Sequence, residues 1–305
     1  MSLPVLTSPP KVRDTVLAWR SAGLSVGFVP TMGALHEGHL ALVRRSAAEC
    51  DRTVVSVYVN PTQFDRRDDL ENYPRRLESD CGLLQGAGAN LVFAPSDEVM
   101  YPGGFCTYVV QEGLSDRLCG AFRPGHFRAV LTVVLKLFQI VPADRAYLGR
   151  KDFQQTVVIR RMAADLNLPI EIRVLPTVRE GDGLALSSRN ERLTAEHRRQ
   201  AVCLYEALGA ARRRFQAGEK SAARLIEMMK GAIARYPAAR LQYIEIVSPD
   251  TLESVAQVSE SSVAALAVFL GDVRLIDNMP FGECPDIFVG RGEGEAGASE
   301  CAEGR

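Results

Sequence analysis

The chain has 305 residues, of which 47% are hydrophobic and 24% are charged, as in a globular protein with one large domain or two modest ones. Its formal net charge of -1 at pH 7 gives no electrostatic footprint for nucleic acid or for a membrane surface, so neither is expected as a partner. Seven scattered cysteines without Cys-x-x-Cys spacing indicate reduced thiols. No basic stretch followed by an apolar run opens the sequence, and no apolar run approaches about 18 residues, so the expected compartment is the cytoplasm.

Strand-like and helix-like segments alternate through the first half of the chain. This order predicts an α/β fold, a Rossmann-like parallel sheet with helices on both faces. The predicted strands are 24–30, 53–60, 90–94, 145–148 and 170–175, and the predicted helices are 37–50, 75–86, 127–141 and 153–166. Together they predict a Rossmann-like first domain at 1–176.

The second half predicts a smaller C-terminal α+β domain at 177–289, which would act as a lid behind a Gly-rich hinge at 180–183. Its predicted helices, 194–216 and 222–236, carry many Arg and Glu residues and are expected at the surface. Its predicted strands are 241–247 and 263–270. Residues 290–305 are mostly Gly, Glu and Ala, and this composition predicts a disordered tail.

The first chemical motif is the run Pro-Thr-Met-Gly-Ala-Leu-His-Glu-Gly-His at 30–39, between the first strand and the first long helix. A helix that begins at the carboxyl edge of a parallel sheet offers free backbone N–H groups and the positive end of its dipole to phosphates. Gly33 and Gly38 allow the backbone to approach a ligand closely. His36 and His39 are three residues apart and are predicted to face the same point.

Two imidazoles at such a helix start would donate hydrogen bonds to a triphosphate and stabilise the charge that develops as pyrophosphate leaves. The residues leave two alternatives open. One is a helix cap with two surface histidines. The other is a metal-binding pair, although no third ligand follows nearby in the sequence.

This motif carries a family resemblance. His-x-Gly-His after a first Rossmann strand resembles the signature of the nucleotidylyltransferase superfamily, and the wider run at 30–39 is similar to that of the pantothenate synthetases. The resemblance extends over about 24–285, with further motifs in the family's order. It implies a homodimer that forms pantoyl adenylate from ATP and (R)-pantoate, releases pyrophosphate, and lets β-alanine displace AMP to give pantothenate. Mg²⁺ is expected on the β- and γ-phosphates.

Two motifs follow in regions that the resemblance connects with pantoate. Asn60-Pro-Thr-Gln63-Phe comes after the second strand, where a side-chain amide can bind a hydroxyl or a carboxylate, although Asn-Pro alone is also typical of a turn. Arg123-Pro-Gly-His126-Phe precedes the buried helix, either as a polar helix start or as an ordinary Pro-Gly turn. Cys119 stands where some relatives carry an acid, so no catalytic acid is expected there.

Two more motifs are predicted to meet the phosphates. In Gly-Arg-Lys-Asp-Phe-Gln-Gln at 149–155, Lys151 is a point charge for phosphate and Asp152 caps the helix or meets the ribose, with a solvated charge cluster as the alternative. Arg150 occupies a position where the family commonly has Glu. In Leu-Ser-Ser-Arg-Asn at 186–190, two hydroxyls and a guanidinium suit phosphate oxygens, whereas capping is the simpler reading.

The resemblance assigns these residues as follows. Catalytic roles fall to His36, His39, Lys151, Ser187 and Arg189. ATP contacts fall to Pro30, Thr31, Met32, Gly33, His36, Gly38, His39, Gly149, Lys151, Asp152, Val178, Leu186, Ser187, Ser188 and Arg189, with the backbone of Val178 at the adenine. Pantoate and β-alanine contacts fall to Met32, Asn60, Gln63, Arg123 and Gln155. Asp80 is expected beside magnesium.

Two other functions compete with this ligase. An adenylyltransferase would join AMP to a phosphorylated acceptor and stop there. A regulatory protein would bind ATP without turning it over, but the paired amides of Gln63 and Gln155 would serve no purpose in such a sensor. The sequence therefore favours the ligase.

Overall fold

The computed structural model describes residues 3–283 and 286–289, and the predicted tail at 290–305 lies outside them. By its contacts the chain divides into two compact units. The first contains the described residues up to Gly149 together with Phe153–Leu175, and the second contains Arg150–Asp152 and the described residues from Pro176 onward. The sequence pattern gave no sign that the short segment Arg150–Asp152 belongs to the second unit. None of the helices within 3–283 has the length and hydropathy needed to span a membrane.

The first unit is built on a six-stranded parallel sheet in the order β1-β4-β3-β2-β5-β6. Its strands are β1 (Val5–Leu6), β2 (Val26–Thr31), β3 (Arg52–Val57), β4 (Leu91–Phe93), β5 (Arg145–Gly149) and β6 (Glu171–Leu175). Its helices are α1 (Pro9–Ser21), α2 (Glu37–Glu49), α3 (Arg67–Glu71), α4 (Leu77–Gly86), α5 (Asp97–Met100), α6 (Cys119–Phe122), α7 (His126–Ile140) and α8 (Phe153–Asp165). This architecture confirms the predicted α/β fold class.

The central strands explain why the apolar pattern was a good guide. Phe28 and Val29 of β2 and Val54 and Val55 of β3 are fully buried, because strands covered by helices on both faces read as continuous apolar runs. The strand order reverses between β2 and β5. Such a switch point leaves a crevice at the carboxyl ends of the two strands, where open α/β sheets bind their ligands.

The second unit has a three-stranded antiparallel sheet in the order β10-β9-β8 and a short parallel pair β11-β7. Its strands are β7 (Val178–Arg179), β8 (Ala239–Val247), β9 (Val263–Leu270), β10 (Val273–Pro280) and β11 (Ile287–Phe288), and its helices are α9 (Ala195–Gln200), α10 (Cys203–Gln216) and α11 (Ala222–Ile233). One core joins α10 and α11 to this sheet. Their Arg and Glu content had suggested that the two longer helices lie at the surface. The structure shows that one face of each helix is buried in this core.

The single helix predicted at 194–216 is wrong, because the structure has two helices there. Thr194 caps α9 by accepting a hydrogen bond from the backbone N–H of His197 at 3.2 Å, and α9 ends at Gln200. The buried stripe that packs into the core begins after α9, with Ala201 and Cys203, and continues along α10 through Leu204 and Leu208. Since α9 has no buried residue, the two segments satisfy different environments and the chain turns between them.

Candidate active site

The turn between β2 and α2 brings the two predicted histidines together. His36 is the N-cap of α2: its Nδ1 accepts a hydrogen bond from the Gly38 backbone N–H at 3.2 Å. The backbone N–H of His36 donates in turn to Nδ1 of His39 at 3.4 Å, which completes a reciprocal capping box. The ring centroids lie 4.1 Å apart. The two histidines themselves therefore form the helix cap that the sequence left open as an alternative.

This cap fixes which ring nitrogen carries the proton. In both His36 and His39 the Nδ1 atom accepts from a backbone N–H, so that nitrogen has no proton and the neutral ring carries its proton at Nε2. Each ring therefore presents Nε2–H as its donor. Two such donors at the positive end of a helix match the oxygens of a phosphate chain.

Asp80 of α4 holds the turn that leads to this cap. Its carboxylate is 2% exposed, and it accepts hydrogen bonds from the backbone N–H groups of Ala34 at 3.0 Å and Leu35 at 2.9 Å. Gly33 has φ of +79°, and a Cβ there would lie 3.0 Å from Asp80 Oδ2 and from Val57. The turn therefore needs glycine, and Asp80 is its anchor. The expected magnesium role of Asp80 stays a prediction.

A second polar group follows β3, where Asn60 orients Gln63. Asn60 is 1% exposed; its amide donates to Gln63 Oε1 at 3.1 Å and to the Ala129 carbonyl at 3.5 Å, and its Oδ1 accepts from Thr62. Gln63 is half-buried, and its Nε2 lies 3.0 Å from the sulfur of Met32. Asn60 in this conformation acts on Gln63, and a direct contact with pantoate stays a prediction for both amides.

Arg123 and His126, from the Pro-Gly motif before α7, hold the backbone of Gln63. Arg123 Nη2 and His126 Nδ1 both donate to the Gln63 carbonyl at 3.0 Å. Arg123 also forms an ion pair with Asp65. The motif therefore fixes the backbone of Gln63 in this structure, and the expected contact of Arg123 with substrate stays a prediction.

The two glutamines at the start of α8 have different environments. Gln154 is buried and donates to the backbone carbonyls of Leu114 and Arg117 at 2.9 and 2.6 Å. Its Oε1 accepts a hydrogen bond from the backbone N–H of Cys119, so this contact involves the backbone of Cys119 and not its thiol. Gln155 is half-buried in the first turn of α8, and its expected contact with pantoate stays a prediction.

In the second unit, Lys151 lies in the 3-10 turn Arg150–Asp152, directly after Gly149, the last residue of β5. Its Nζ is 3.7 Å from Asp152 Oδ1, a loose ion pair. The Lys151 side chain is 18% exposed and that of Asp152 is 48% exposed. The predicted contacts of these residues with ATP remain predictions.

The Ser-Ser-Arg segment begins another 3-10 turn, Ser188–Arg192. Ser187 caps this turn, because its Oγ accepts from the Arg189 backbone N–H at 3.3 Å. The Leu186 backbone N–H donates to the Val178 carbonyl at 2.9 Å, which places two residues expected at the nucleotide side by side. Capping is thus present, and phosphate binding by Ser187, Ser188 and Arg189 stays a prediction.

Sequence reasoning missed a buried polar cluster on β10 and around it. Arg179 is fully buried and donates to both carboxylate oxygens of Asp277, at 2.7 and 3.0 Å, and to Asp286. Burial lowers the pKa of Arg179, but the two carboxylates raise it above its ordinary value. The adjacent Asn278 is also buried. An Asp-Asn pair inside an apolar strand was the available signal, because buried polar groups need partners.

Across the described ranges 3–283 and 286–289, no cluster of three or more His, Cys, Asp or Glu residues has an arrangement that would hold a metal ion. At the start of α2 the first unit instead has a helix end capped by the imidazoles of His36 and His39. Together with the strand order, these features define a nucleotide-binding α/β protein with a histidine-capped helix at the switch point.

Comparison with known proteins identifies the family. The family described as pantoate-beta-alanine ligase matches residues 4–280. A pantothenate synthetase of Moorella thermoacetica is 53% identical over 268 residues, which are 88% of this chain and 95% of that protein. The crystal structure of pantothenate synthetase from Thermus thermophilus has a TM-score of 0.86 and 44% identity, and the match covers 92% of this chain and 100% of that one. A pantoate-beta-alanine ligase from Francisella tularensis, complexed with beta-gamma ATP and beta-alanine, has a TM-score of 0.75 and 32% identity, covering 92% and 98%.

The chain therefore belongs to the pantoate–β-alanine ligase family. It is accordingly an enzyme of the ligase class, and the resemblance recognised in the sequence motifs is confirmed.

Proposed function

We propose that this chain ligates (R)-pantoate and β-alanine at the expense of ATP, through a pantoyl adenylate. Family membership and the ATP and β-alanine named for the Francisella tularensis complex support this reaction. The observation that carries it is the capping box of His36 and His39 at the start of α2, in which the backbone bonds to Nδ1 assign each ring proton to Nε2. The two histidines lie beside the switch point, where the sheet's carboxyl edge favours a nucleotide.

In the first step, a carboxylate oxygen of pantoate attacks the α-phosphorus of ATP, and pyrophosphate leaves. Negative charge then grows on the departing phosphates, and donors fixed before the reaction stabilise it without reorganising. His36 and His39 supply two such donors beside the positive end of α2. Lys151, Ser187 and Arg189 are proposed to contact the same phosphates. Mg²⁺, when bound, would neutralise the β- and γ-phosphate oxygens.

The amides are proposed to hold pantoate. Gln63 is oriented by Asn60 and by the two donors to its carbonyl, and a half-buried amide can pair with a hydroxyl or a carboxylate without adding charge. Gln155 is proposed as the second amide.

In the second step, the amine of β-alanine attacks the acyl carbon of the adenylate, the bond to the phosphate oxygen breaks, and AMP leaves. AMP is a far better leaving group than an oxygen atom expelled from a free carboxylate, which is why the acid is activated first. Once the adenylate has formed, the main contribution of the protein is to hold the amine and the acyl carbon in line.

The proposal is tested with His39→Ala and with His197→Ala as a matched control on α9. Pantoate-dependent exchange of labelled pyrophosphate into ATP reports the first step alone. We expect His39→Ala to slow this exchange by more than about 10², a typical loss for one donor to a developing charge, and His197→Ala to leave it unchanged. Unchanged exchange in His39→Ala would remove this histidine from the mechanism.

The same assay separates the alternatives. Exchange that requires pantoate, with AMP released only after β-alanine is added, is the ligase result. AMP joined stably to a phosphorylated acceptor would indicate an adenylyltransferase, and ATP binding without any turnover would indicate a sensor.

We further propose that the protein acts in the cytoplasm, as the sequence pattern predicts, and that it is a homodimer, as the family resemblance implies. Light scattering is expected to give about twice the chain mass of 33.3 kDa. A mass of one chain across the working concentration range would refute the dimer.

A further inference from the structure

The segment that carries Lys151 is held by a residue of β10. Asn278 is 2% exposed, and its Nδ2 donates to two consecutive backbone carbonyls, those of Arg150 at 2.9 Å and Lys151 at 3.0 Å. The backbone N–H of Asn278 donates to Asp277 Oδ1 at 2.8 Å. One buried amide therefore fixes the backbone on which the proposed phosphate-binding lysine stands.

A second anchor reaches the same segment through a side chain. Arg150 Nη2 donates to Asp286 Oδ1 at 2.6 Å, and both side chains are largely buried. Asp286 also accepts from Arg179, which is bidentate on Asp277. A continuous line of charge-assisted hydrogen bonds thus leads from β10 to Arg150.

This network needs an explanation beyond stability. Buried charges lose their hydration, and apolar residues of similar size often stabilise a core as well or better. The bonds from Asn278 end on the segment Arg150–Asp152. Lys151 itself has a flexible stem and a loose pair with Asp152, with Nζ 3.7 Å from Oδ1, so the position of its ammonium group depends on where its backbone is held.

We propose that Asn278 is a positioning residue for Lys151, with Asp286 as a second anchor that acts through Arg150. The inference rests on the proposed function, since it gives Lys151 a phosphate to meet. Asn278 lies within the region that matches the family, at 4–280, whereas Asp286 lies beyond it.

The test uses Asn278→Ala and Asp286→Asn, with Ser262→Ala as control. Ser262 is equally buried in the second unit, and its Oγ accepts from the Ser259 backbone N–H at 3.1 Å, away from the segment of Lys151. Pantoate-dependent pyrophosphate exchange is measured together with thermal unfolding. We expect Asn278→Ala to lose between about ten- and a hundredfold in the exchange rate, as expected for a misplaced catalytic group. Asp286→Asn should lose less, and Ser262→Ala should keep the rate.

A double-mutant cycle separates positioning from mere stability. If Asn278 acts through Lys151, adding Asn278→Ala to Lys151→Ala causes no further loss of exchange. Losses that multiply would overturn the proposal. Should Asn278→Ala fail to fold, the same cycle is run with Asp286→Asn, and an exchange rate unchanged from wild type would also overturn it.

The proposed function fails in a different way. If Lys151→Ala alone leaves the exchange at the wild-type rate, Lys151 has no part in adenylation and the reaction scheme is wrong at that residue. If Lys151→Ala is slow while Asn278→Ala and Asp286→Asn are both normal, only the positioning inference fails.

Discussion

Replacing Asp80 by Asn tests whether this carboxylate holds the histidine turn or binds magnesium. The change keeps the shape of the side chain but puts an NH₂ group against one of the two backbone N–H groups, of Ala34 or Leu35, that now donate to it. One hydrogen bond to a charged acceptor is lost, which costs about 1.5–3 kcal/mol. Because the site is 2% exposed, water cannot readily replace the lost bond.

The assay is urea unfolding of the protein without ATP or Mg²⁺. We expect Asp80→Asn to lower the free energy of unfolding by about 1.5–3 kcal/mol. In a separate assay of adenylation, we expect the variant to be slower than wild type but to require the same Mg²⁺ concentration. Asp116→Asn is the control, since Asp116 Oδ2 accepts one hydrogen bond at the surface, from the Gly113 backbone N–H at 3.2 Å. Wild-type stability combined with a raised Mg²⁺ requirement would refute the anchoring role and favour the magnesium role.

Two further predictions concern the turn that follows β7. Gly183 has φ of +100°, and a Cβ there would lie 2.0 Å from the Tyr205 ring. Gly218 has a similar φ of +102° but open space around it, so Gly183→Ala should destabilise the protein by more than Gly218→Ala. Equal losses in thermal unfolding would mean that the clash with Tyr205 is relieved at no cost. Burial raises the pKa of Asp182, but its hydrogen bond from Arg198 and one from a backbone N–H lower it below its ordinary value. The ionised form therefore stabilises the folded state above the unfolded pKa of about 3.9, and this contribution is lost as pH falls through the folded value. Asp182→Asn should flatten the fall in Tm below about pH 5, and an unchanged profile would contradict the shift.

The parts of the fold that local pattern determines were predictable. The apolar runs of β2 and β3 and the glycines and histidines of the turn before α2 lie close together in sequence, so spacing alone indicated a strand, a turn and a helix start. The division of 194–216 into two helices also has a local cause, because α9 has no buried residue whereas the core stripe begins at Ala201 and runs along α10.

Long-range partners were not predictable in the same way. Asp80 reaches Ala34 across 46 positions, and Asn278 reaches Lys151 across 127. Neither partner is marked by local spacing, since these bonds form only when separate elements pack. The sequence therefore indicated which side chains carry chemistry but not which buried groups hold them, and Asn278 was missed for this reason.

The account depends on the two Nε2–H donors of the capped histidines meeting the phosphates of ATP. Nitrogen NMR of labelled imidazole rings tests this directly, since the chain has only four histidines. The free protein should show His36 and His39 protonated at Nε2 with Nδ1 as acceptor, and a non-hydrolysable ATP analogue should move both Nε2 signals while leaving that of His197 in place. Saturating binding of the analogue with the signals of His36 and His39 unmoved would contradict the account.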